Sequence, residues 1–536
     1  MWNHKAFKWG NPSQKIIFYS LLLHFSCGGG SGEEDTNQKL VPENGISGQA
    51  LSKKHCQSCH LYPEPSELDK KTWERSVLPL MGRLFGIYEA EVPRSEILKG
   101  PINKKAVEEL NMFPQKPTIS VADWQKITEY YLAEAPETLD QTIWEENKPD
   151  YLEGFEMVEP EENGKLQSIT FLKTGPDPAQ IYVGGTSGER GSLAILNGEN
   201  NISQMVPLPS PPTDVAFGKD NLSLTLAGSL RLVADNNPFG ELISLFRNPG
   251  EGQYSSFRKF LSQLNRPVQT VFEDVNGNGL TDILVAEFGY YTGALTLFEN
   301  TGLAERPYKK HTLKNVPGAI RTIVEDMNGD GRKDIITLFA QGDEGISIFY
   351  NEGESRFTEQ RILRFPPTYG SVYFDLVDFN QDGHLDILYG NGDNGDYPPI
   401  SKPYHGLRIF ENDGNNNFKQ VYFFPMNGLN KCAAADFDQD GLLEIVAVSY
   451  FPNFDLPGRQ DFVYLKQEAS YVYQPKILMD KLDARWITFE FGDIDADGDL
   501  DLFLGANGTY LVKGNVSGET KKMKGPLLIL KNLKHP

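Results

Sequence analysis

The fold of this chain is decided by the stretch Asp326-Met327-Asn328-Gly329-Asp330-Gly331-Arg332-Lys333-Asp334, which the apolar run Ile335-Ile336-Thr337-Leu338 follows directly. Oxygen-bearing side chains stand at positions 1, 3, 5 and 9 of the stretch, where they can surround Ca²⁺ together with a backbone carbonyl at position 7. Glycine at position 6 permits the sharp turn that so short a loop requires. We therefore predict a calcium loop that leads into a β-strand.

The same pattern occurs five times, with successive starts 52, 52, 58 and 57 residues apart. The five loops hold 2, 3, 3, 4 and 5 carboxylates, and five Ca²⁺ ions would reduce the net charge from −22 to −12. We expect about five calcium ions as cofactors. The alternative is a set of acidic turns that hold no metal. The predicted ligands are Asp274, Asn276, Asn278, Asp282, Asp326, Asn328, Asp330, Asp334, Asp378, Asn380, Asp382, Asp386, Asp436, Asp438, Asp440, Glu444, Asp493, Asp495, Asp497 and Asp501.

Each period contains four apolar segments of strand length, which is typical of one blade of a β-propeller. Two weaker periods without the full metal loop precede the five, between residues 165 and 250, so that seven blades are predicted. The chain closes on a third-strand pattern at Leu527–Leu530, and residues 153–159 are expected to supply the missing outer strand of the last blade. Closing the ring in this way leaves no free sheet edge. The prediction is an all-β seven-bladed propeller over residues 153–536.

A second motif, Cys56-Gln57-Ser58-Cys59-His60, has the spacing of a covalent attachment site for a c-type haem. Two cysteines one helical turn apart can bind the two vinyl groups of one porphyrin, and the adjacent histidine can bind its iron. A zinc half-site and a redox-active cysteine pair are the alternatives. A structural zinc site needs about four ligands, and no second CxxC is present. One haem c bound by Cys56, Cys59 and His60 is therefore expected.

Helical signals surround this motif, and they predict a small all-α domain of the cytochrome c type over residues 45–137, followed by a linker over 138–152. Asp69 and Ser120 are predicted N-caps. A methionine is the usual sixth iron ligand when a cytochrome only transfers electrons. Met81 lies beside Pro79, and Met112 precedes the last helix, so both are candidates. We expect Met81, with Met112 and an open or histidine-ligated iron as alternatives.

The first residues resemble a bacterial lipoprotein signal, with an apolar run at Ile16–Phe25 and Cys27 before a Gly-rich acidic stretch. We predict a signal peptide over 1–26, lipidation of Cys27 and a flexible leash over 27–44, with ordinary signal-peptide cleavage as the alternative. The expected location is the outer membrane or cell envelope, on its periplasmic or outer face, with membrane contact only through the lipid.

A net charge of −22 argues against nucleic acid as a partner. Cys432, in an apolar run, is expected to be a buried thiol.

The loops, together with Phe288-Gly289 after one strand, resemble FG-GAP/VCBS repeats, a calcium-binding propeller family that includes integrin heads. The order of domains is similar to that of bacterial exported proteins that join a cytochrome c module to such a propeller. Cys56–Pro65, Trp73–Met81 and Asn391–Tyr397 carry this likeness, which favours Met81 over Met112. The resemblance implies a fold and cofactors, and it implies no particular reaction.

These observations favour an envelope-anchored c-type cytochrome that transfers electrons to a redox partner protein docked on the propeller. One alternative is a haem-coupled oxidoreductase with its substrate on the propeller, and another is a module that binds a glycan or a protein surface. No catalytic residue is predicted, and an electron carrier is favoured over an enzyme. Two polar sets are candidate contact surfaces: a blade-five set and an inner-strand set. The blade-five set comprises Asn391, Asp393, Asn394, Asp396, Tyr397, Lys402, Tyr404, His405 and Arg408. The inner-strand set comprises Arg266, Gln269, Arg321, Tyr373, Lys431, Arg485 and Thr488.

Overall fold

The structure is a computed structural model, and it describes most of the chain from residue 40 onwards. The predicted signal peptide and Cys27 lie outside the described part, as do Asp396 and Tyr397 of the blade-five set. The described residues are 40, 42–90, 92–97, 104–146, 149–230, 235–248, 250, 252–395, 400–455, 460–480, 482, 484–508 and 523–533.

Residues 42–146, the helical region, contain all seven α-helices of the described chain, together with a 3₁₀ turn at Pro65–Glu67 and a π-helical turn at Trp73–Val77. The π-helical turn joins α2 to α3, so that Lys70 to Leu84 form one continuous helix and Pro79 lies in the first turn of α3. The helices are α1 Gly48–Cys56, α2 Lys70–Thr72, α3 Leu78–Leu84, α4 Arg94–Ile97, α5 Lys104–Glu109, α6 Val121–Glu134 and α7 Ile143–Glu146.

Side-chain caps start three of these helices. Ser47 accepts a hydrogen bond from the amide of Ala50, Asp69 from that of Thr72, and Ser120 from that of Asp123. Each bond satisfies one of the amides that the first turn of a helix leaves free. The sequence therefore correctly placed the caps at Asp69 and Ser120.

Helices α1 and α6 cross in direct backbone contact. A Cβ atom at Gly48 would lie only 2.2 Å from the carbonyl oxygen of Lys126, so that only glycine fits at this crossing. The amide of Glu43 donates to the carboxylate of Asp123, which ties the segment before α1 to the start of α6. The crossing fixes the direction of α1, and therefore the position of Cys56 at its last residue.

The rest of the described chain is β-structure, and its strands are numbered in chain order. They are β1 Asp150–Tyr151, β2 Phe155–Val158, β3 Ser168–Thr174, β4 Ile181–Ser187, β5 Arg190–Leu196, β6 Ile202–Leu208, β7 Pro212–Phe217, β8 Asn221–Leu226, β9 Gly240–Arg247, β10 Tyr254–Leu264, β11 Pro267–Glu273, β12 Asp282–Glu287, β13 Ala294–Asn300, β14 Tyr308–Lys314, β15 Ala319–Glu325, β16 Asp334–Phe339, β17 Gly345–Asn351, β18 Phe357–Arg364, β19 Ser371–Val377, β20 Asp386–Asn391, β21 Gly406–Asn412, β22 Phe418–Pro425, β23 Leu429–Ala435, β24 Glu444–Ser449, β25 Phe462–Ala469, β26 Val472–Ile477, β27 Trp486–Gly492, β28 Asp501–Ala506 and β29 Leu527–Asn532.

These strands form seven antiparallel sheets, which are the blades of a seven-bladed β-propeller. The first six blades take four consecutive strands each, from β3–β6 to β23–β26. In the last blade β2 pairs antiparallel with β29, with Met157 opposite Leu530, so that an early segment of the chain closes the ring. The segment predicted as a linker is partly ordered, since β1 adds to the edge of blade six through parallel pairing of Tyr151 with Ile477.

The second strand of each blade with a predicted metal loop is buried along its whole length. Each of these strands lies in the middle of its sheet with a neighbouring blade on either face, so alternate side chains of both faces enter apolar clusters. The clusters run from blade to blade around the ring, and burial of this apolar surface is the main force that holds the blades together.

The topology separates the two rims of the propeller. The predicted metal loops join the first strand of a blade to the second, and they form what we call the acidic rim. The loops between second and third strands, with the connections between blades, form the opposite rim, which we call the docking rim. Strands of six or seven residues separate the two rims, which corresponds to roughly 20 Å.

Candidate metal and cofactor sites

All five acidic loops have the same internal hydrogen bonds. In each, the aspartate at position 1 accepts a bond from the amide of the glycine at position 6, at 2.7 to 3.0 Å. The same carboxylate accepts a bond from the amide at position 5, at 3.1 to 3.2 Å. The backbone therefore wraps around the first aspartate, which brings the side chains at positions 3 and 5 towards it.

Backbone dihedral angles explain the glycine and reveal a second special position. The glycine at position 6 has φ between +82° and +96° in all five loops, a conformation that L-residues rarely adopt. Position 4 is left-handed as well, and there three loops carry Gln381, Gln439 and Ala496 with φ of +57° to +61°. A non-glycine residue with positive φ is strained, so interactions around these loops must hold the turn in place.

The acidic residue at position 9, a predicted metal ligand, is buried in every loop and accepts hydrogen bonds from backbone amides. In four loops it is an aspartate whose two oxygens accept from two backbone amides. Asp334, for example, accepts from the amide of Met327 at 3.0 Å and from that of Asn351 at 2.8 Å. The equivalent bonds are made by Asp282, Asp386 and Asp501. Position 9 therefore ties the loop to the third strand.

The partner of the position 9 aspartate, which was not predicted from the sequence, is an asparagine at the end of the third strand. Its side chain also donates to backbone carbonyls, as Asn351 does to Lys333 at 2.9 Å and to Val275 of the neighbouring loop at 2.6 Å. The recurring signal was an asparagine at the end of an apolar strand, 17 to 31 residues after position 9, a spacing too variable for a fixed-period search. The four residues are Asn300, Asn351, Asn412 and Asn532.

Blade six departs from this arrangement, because Glu444 stands at position 9 and Gln467 replaces the asparagine. Glu444 accepts from the amide of Phe437 through one oxygen, while its other oxygen is buried and has no hydrogen-bond partner in the described part of the chain. Asp436, Asp438 and Glu444 offer oxygens within 4.8 Å of one another, and Asp493, Asp495 and Asp497 do the same in blade seven. Carboxylate oxygens that converge in this way fit a hard divalent cation such as Ca²⁺.

The electrostatics of the loops also favour a cation. Burial raises the pKa of the position 9 carboxyl in every loop, and that of Asp501 reaches about 6. Neighbouring carboxylates raise the pKa further, as Asp330 and Asp326 do for Asp334. Like charges that are held together and partly desolvated repel one another, and a bound Ca²⁺ would remove that repulsion.

The predicted haem motif lies at the end of α1 and in the turn after it. The Nδ1 atom of His60 is 2.8 Å from the carbonyl oxygen of Leu61, so it donates its proton there and leaves the lone pair of Nε2 available. Burial lowers the pKa of His60, which keeps the ring neutral near pH 7. A neutral imidazole with its second nitrogen fixed by a backbone carbonyl is well suited to bind a metal such as haem iron.

The environment of Cys56 bears on the alternative of a redox-active cysteine pair. Burial raises the pKa of Cys56 to about 11, so that its thiol stays protonated, whereas a redox-active cysteine pair requires a stabilised thiolate. This argues against the redox alternative.

The helical core distinguishes the two candidate methionines. Met81 and Cys56 both pack against one cluster, which includes Leu51, Trp73 and Tyr131. Met112 packs against Val107 and Phe113 in a separate small cluster. A surface cavity of about 740 Å³ lies near Arg94 and Lys116, and its lining includes neither methionine. Met81 is therefore the candidate that shares a core with the predicted haem-binding cysteine.

The helical region rests on the docking rim, mainly over blades four and five. The hydroxyl of Tyr404 donates to the carbonyl of Glu67 at 2.8 Å, and that of Thr368 donates to the Glu67 carboxylate. Ile400 packs against the helical core, and the side chain of Gln141 donates to the carbonyl of Ser401 at 3.0 Å. The aromatic pair Phe113–Tyr291, with ring centroids 5.6 Å apart, extends the contact to blade three.

This contact explains the blade-five set of polar residues. Lys402, His405 and Arg408 are at most 5% exposed, and they lie beneath the helical region rather than in an open binding surface. Burial lowers the pKa of His405 well below its usual range, and both ring nitrogens lack a partner among the described residues. A histidine enclosed in this way cannot act on a substrate from solvent. The burial of these three residues therefore fits a contact surface that the helical region covers.

Glu67 makes this contact dependent on pH. Burial raises the pKa of Glu67 from 4.5 to about 7, so that the folded state favours the protonated carboxyl. Its contribution to stability is therefore fully present below about pH 4.5 and is lost as the pH rises through about 7. We expect wild-type protein to lose stability across this window relative to Glu67→Gln, measured as the difference between the two melting temperatures at each pH. Parallel melting curves at all pH values would contradict this role of Glu67.

The inner-strand set is bonded within the central channel. The guanidinium of Arg321 contacts Asp375 of the next blade at 3.2 Å and lies over the ring of Tyr373, at 4.3 Å from its centroid. The ammonium of Lys431 donates to the carbonyl of Phe489 at 2.5 Å. These cations connect successive inner strands from blade to blade. Their partners lie on the neighbouring inner strands.

Comparison with known proteins agrees with this architecture. Residues 274–337 and 326–389 match the FG-GAP-like repeat family. The chain therefore contains FG-GAP-like repeats, carried by a seven-bladed β-propeller. No curated protein matches the chain. No helix of the described residues is long and apolar enough to cross a membrane.

Solved structures resemble the chain only at the level of overall fold. A luciferin-regenerating enzyme is 11% identical, with 71% of this chain and 96% of that chain covered and a TM-score of 0.37. The N-terminal domain of Nup159 is 13% identical, with 72% and 97% covered and a TM-score of 0.39. A chain in a Saccharomyces cerevisiae complex of Dbp5 with Nup159 and Gle1 is 12% identical, with 72% of this chain and 96% of that chain covered and a TM-score of 0.38. Likenesses at this level say nothing about activity.

Proposed function

We propose that this protein is an exported electron-transfer protein of the c-type cytochrome class, with haem attached to the helical region and calcium bound in the propeller. The observation that carries the proposal is the arrangement of Cys56 and His60 at the end of α1. His60 is held by the carbonyl of Leu61 with Nε2 available, and Cys56 shares the core of the helical region with Met81. A haem bound there would supply a one-electron redox centre.

The residues of this chain each contribute a defined part of the site. Cys56, the last residue of α1, and Cys59, in the turn after it, provide the two sulfurs, and His60 provides a neutral imidazole whose orientation is fixed by a backbone bond. The crossing of α1 and α6 at Gly48 holds this motif in place. Met81 provides a thioether from the same core, which supports a high reduction potential.

The most informative experiment is a visible spectrum of the purified full chain, recorded as isolated, after chemical reduction, and after addition of candidate electron donors. A low-spin c-type spectrum that responds to a chemical reductant supports electron transfer. Reduction of the haem by a sugar or an alcohol alone would instead favour a haem-coupled oxidoreductase. Absence of any haem absorption in protein produced with its export and maturation machinery would refute the proposal.

The sixth ligand can be tested by a matched pair of substitutions. Met81→Ala is expected to open the iron to carbon monoxide, because it removes the thioether that shares a core with Cys56. Met112→Ala is the control, since Met112 packs in the separate cluster of Val107 and Phe113. The measurement is the carbon monoxide difference spectrum of the reduced protein. A response from Met112→Ala and none from Met81→Ala would reverse the assignment.

The proposed calcium ions have a structural role. The acidic loops lie on the rim opposite the helical region, at the far end of strands that span roughly 20 Å. From there, calcium holds each strained turn and neutralises buried carboxylates, and it takes no direct part in electron transfer. A redox partner must approach the helical region on the docking-rim side. Export and a lipid on Cys27 complete the proposal, with the chain held at the envelope by that lipid.

A further inference from the structure

One residue next to each acidic loop varies in charge from blade to blade. It immediately precedes the asparagine or glutamine on the third strand, and we call it the flanking residue. The flanking residues are Glu299, Tyr350, Glu411, Lys466 and Lys531. The two lysines accompany the loops with 4 and 5 carboxylates, and the loops with 2 and 3 carboxylates have glutamate or tyrosine.

Lys466 enters the acidic loop of its own blade. Its ammonium donates to the carboxylate of Asp438, donates to Asp440 at 3.3 Å, and lies 4.0 Å from the buried oxygen of Glu444 that has no hydrogen-bond partner. These three residues occupy positions 3, 5 and 9 of the loop. The ammonium therefore lies among the oxygens that would surround the metal.

The other flanking residues do not reach so far into a loop. Lys531 contacts one loop carboxylate, that of Asp495, at 3.2 Å. Glu299 pairs with His311 at 2.6 Å, and Glu411 accepts from the hydroxyl of Tyr471 at 2.8 Å. Counting only loop carboxylates and the flanking residue, the five sites have net charges of −3, −3, −4, −3 and −4. The flanking residue thus compensates for the differing number of carboxylates.

We propose that Lys466 is a tethered cation that competes with calcium for the loop at 436–444, so that this loop closes without metal and is the last of the five to fill. The inference rests on the proposed binding of calcium by the acidic loops. Calcium can enter only when the ammonium swings out, since two cations at a distance of a few ångströms repel each other strongly. In the absence of calcium, the same ammonium screens Asp438, Asp440 and Glu444 from one another.

The test is a calcium titration of the full chain against a chromophoric chelator, combined with melting curves in EDTA. We expect Lys466→Gln to bind calcium at its weakest site about tenfold more tightly than wild type, and to melt at a lower temperature in EDTA. Lys466→Arg keeps the charge and is expected to behave as wild type. Lys419→Gln, which removes an exposed lysine from the outer strand of blade five, is the control for net charge.

A reciprocal substitution keeps the proposal testable if Lys466→Gln does not fold. Glu411→Lys places a cation at the flanking position of blade five, and we expect it to weaken one calcium site relative to Glu411→Gln. If wild type binds calcium, and Lys466→Gln changes neither the calcium-binding isotherm nor the melting temperature in EDTA, the proposed role of Lys466 is overturned while the calcium sites stand. Wild type that binds no calcium would overturn the proposed calcium sites and, with them, this inference.

Discussion

Replacement of both Cys56 and Cys59 by alanine is expected to abolish covalent haem. Haem of the c type is attached through cysteine sulfurs, and these two are the pair with CxxCH spacing in the chain. The double variant should lose the mass increment of haem in intact-mass spectrometry and should give no haem-stained band after denaturing electrophoresis. The expected loss is complete, because no other sulfur pair precedes a histidine in this way.

Cys432→Ala is the matched control for this experiment. Cys432 is a free thiol, fully buried in the core between blades five and six, and its removal should leave haem attachment unchanged. His60→Ala separates attachment from ligation, because it removes the imidazole and keeps both sulfurs. We expect this variant to retain some covalent haem with an altered spectrum. A haem-stained band that persists at full strength without both Cys56 and Cys59 would refute the assignment.

Removal of calcium is expected to lower the melting temperature of the propeller by about 10 °C or more. A ligand that binds only the folded state adds about 2.7 kcal/mol for each site when its free concentration is one hundred times Kd. A loss of several such sites corresponds to a shift of this size in a large domain. The measurement is a melting curve of the full chain in EDTA and after calcium is restored, with magnesium as the comparison ion.

Single substitutions assign this effect to the acidic loops. Asp382→Asn removes a charge at position 5 of the blade-five loop. It should reduce the rise in melting temperature that calcium causes by the amount that one site contributes. Asp220→Asn is the matched control, because Asp220 lies exposed in the corresponding hairpin of blade two, which has no metal loop. Identical melting curves with EDTA and with calcium would mean that the loops are acidic turns without a metal.

The sequence predicted the acidic loops well because their chemistry is local. All nine residues of a loop are consecutive, and the bonds from positions 5 and 6 back to position 1 depend only on their spacing. The positive φ of Gly331 follows from the same turn. The number of blades could also be predicted, because a repeated period of strands must close on itself to bury its edges.

The hydrogen bonds of position 9 could not be predicted in the same way. The sequence predicts Asp334 as a calcium ligand, and the structure shows that its two oxygens also accept bonds from the amides of Met327 and Asn351. Its partner, Asn351, comes from the third strand, and the intervening hairpin varies in length from blade to blade. Lys466, whose ammonium contacts the loop of blade six, also lies on the third strand and is separated from that loop in sequence. Such pairs depend on strand register, which a short motif does not contain.

By itself, the sequence determined that five acidic loops alternate with strands and that a CxxCH motif ends a helix. Only the tertiary structure decided what covers the docking rim, since the bond from Tyr404 to Glu67 joins residues 337 positions apart. It also placed Met81, rather than Met112, in the same core as Cys56. The physical reason is that turns and caps arise from neighbouring residues, whereas burial and pairing across domains depend on how distant surfaces pack.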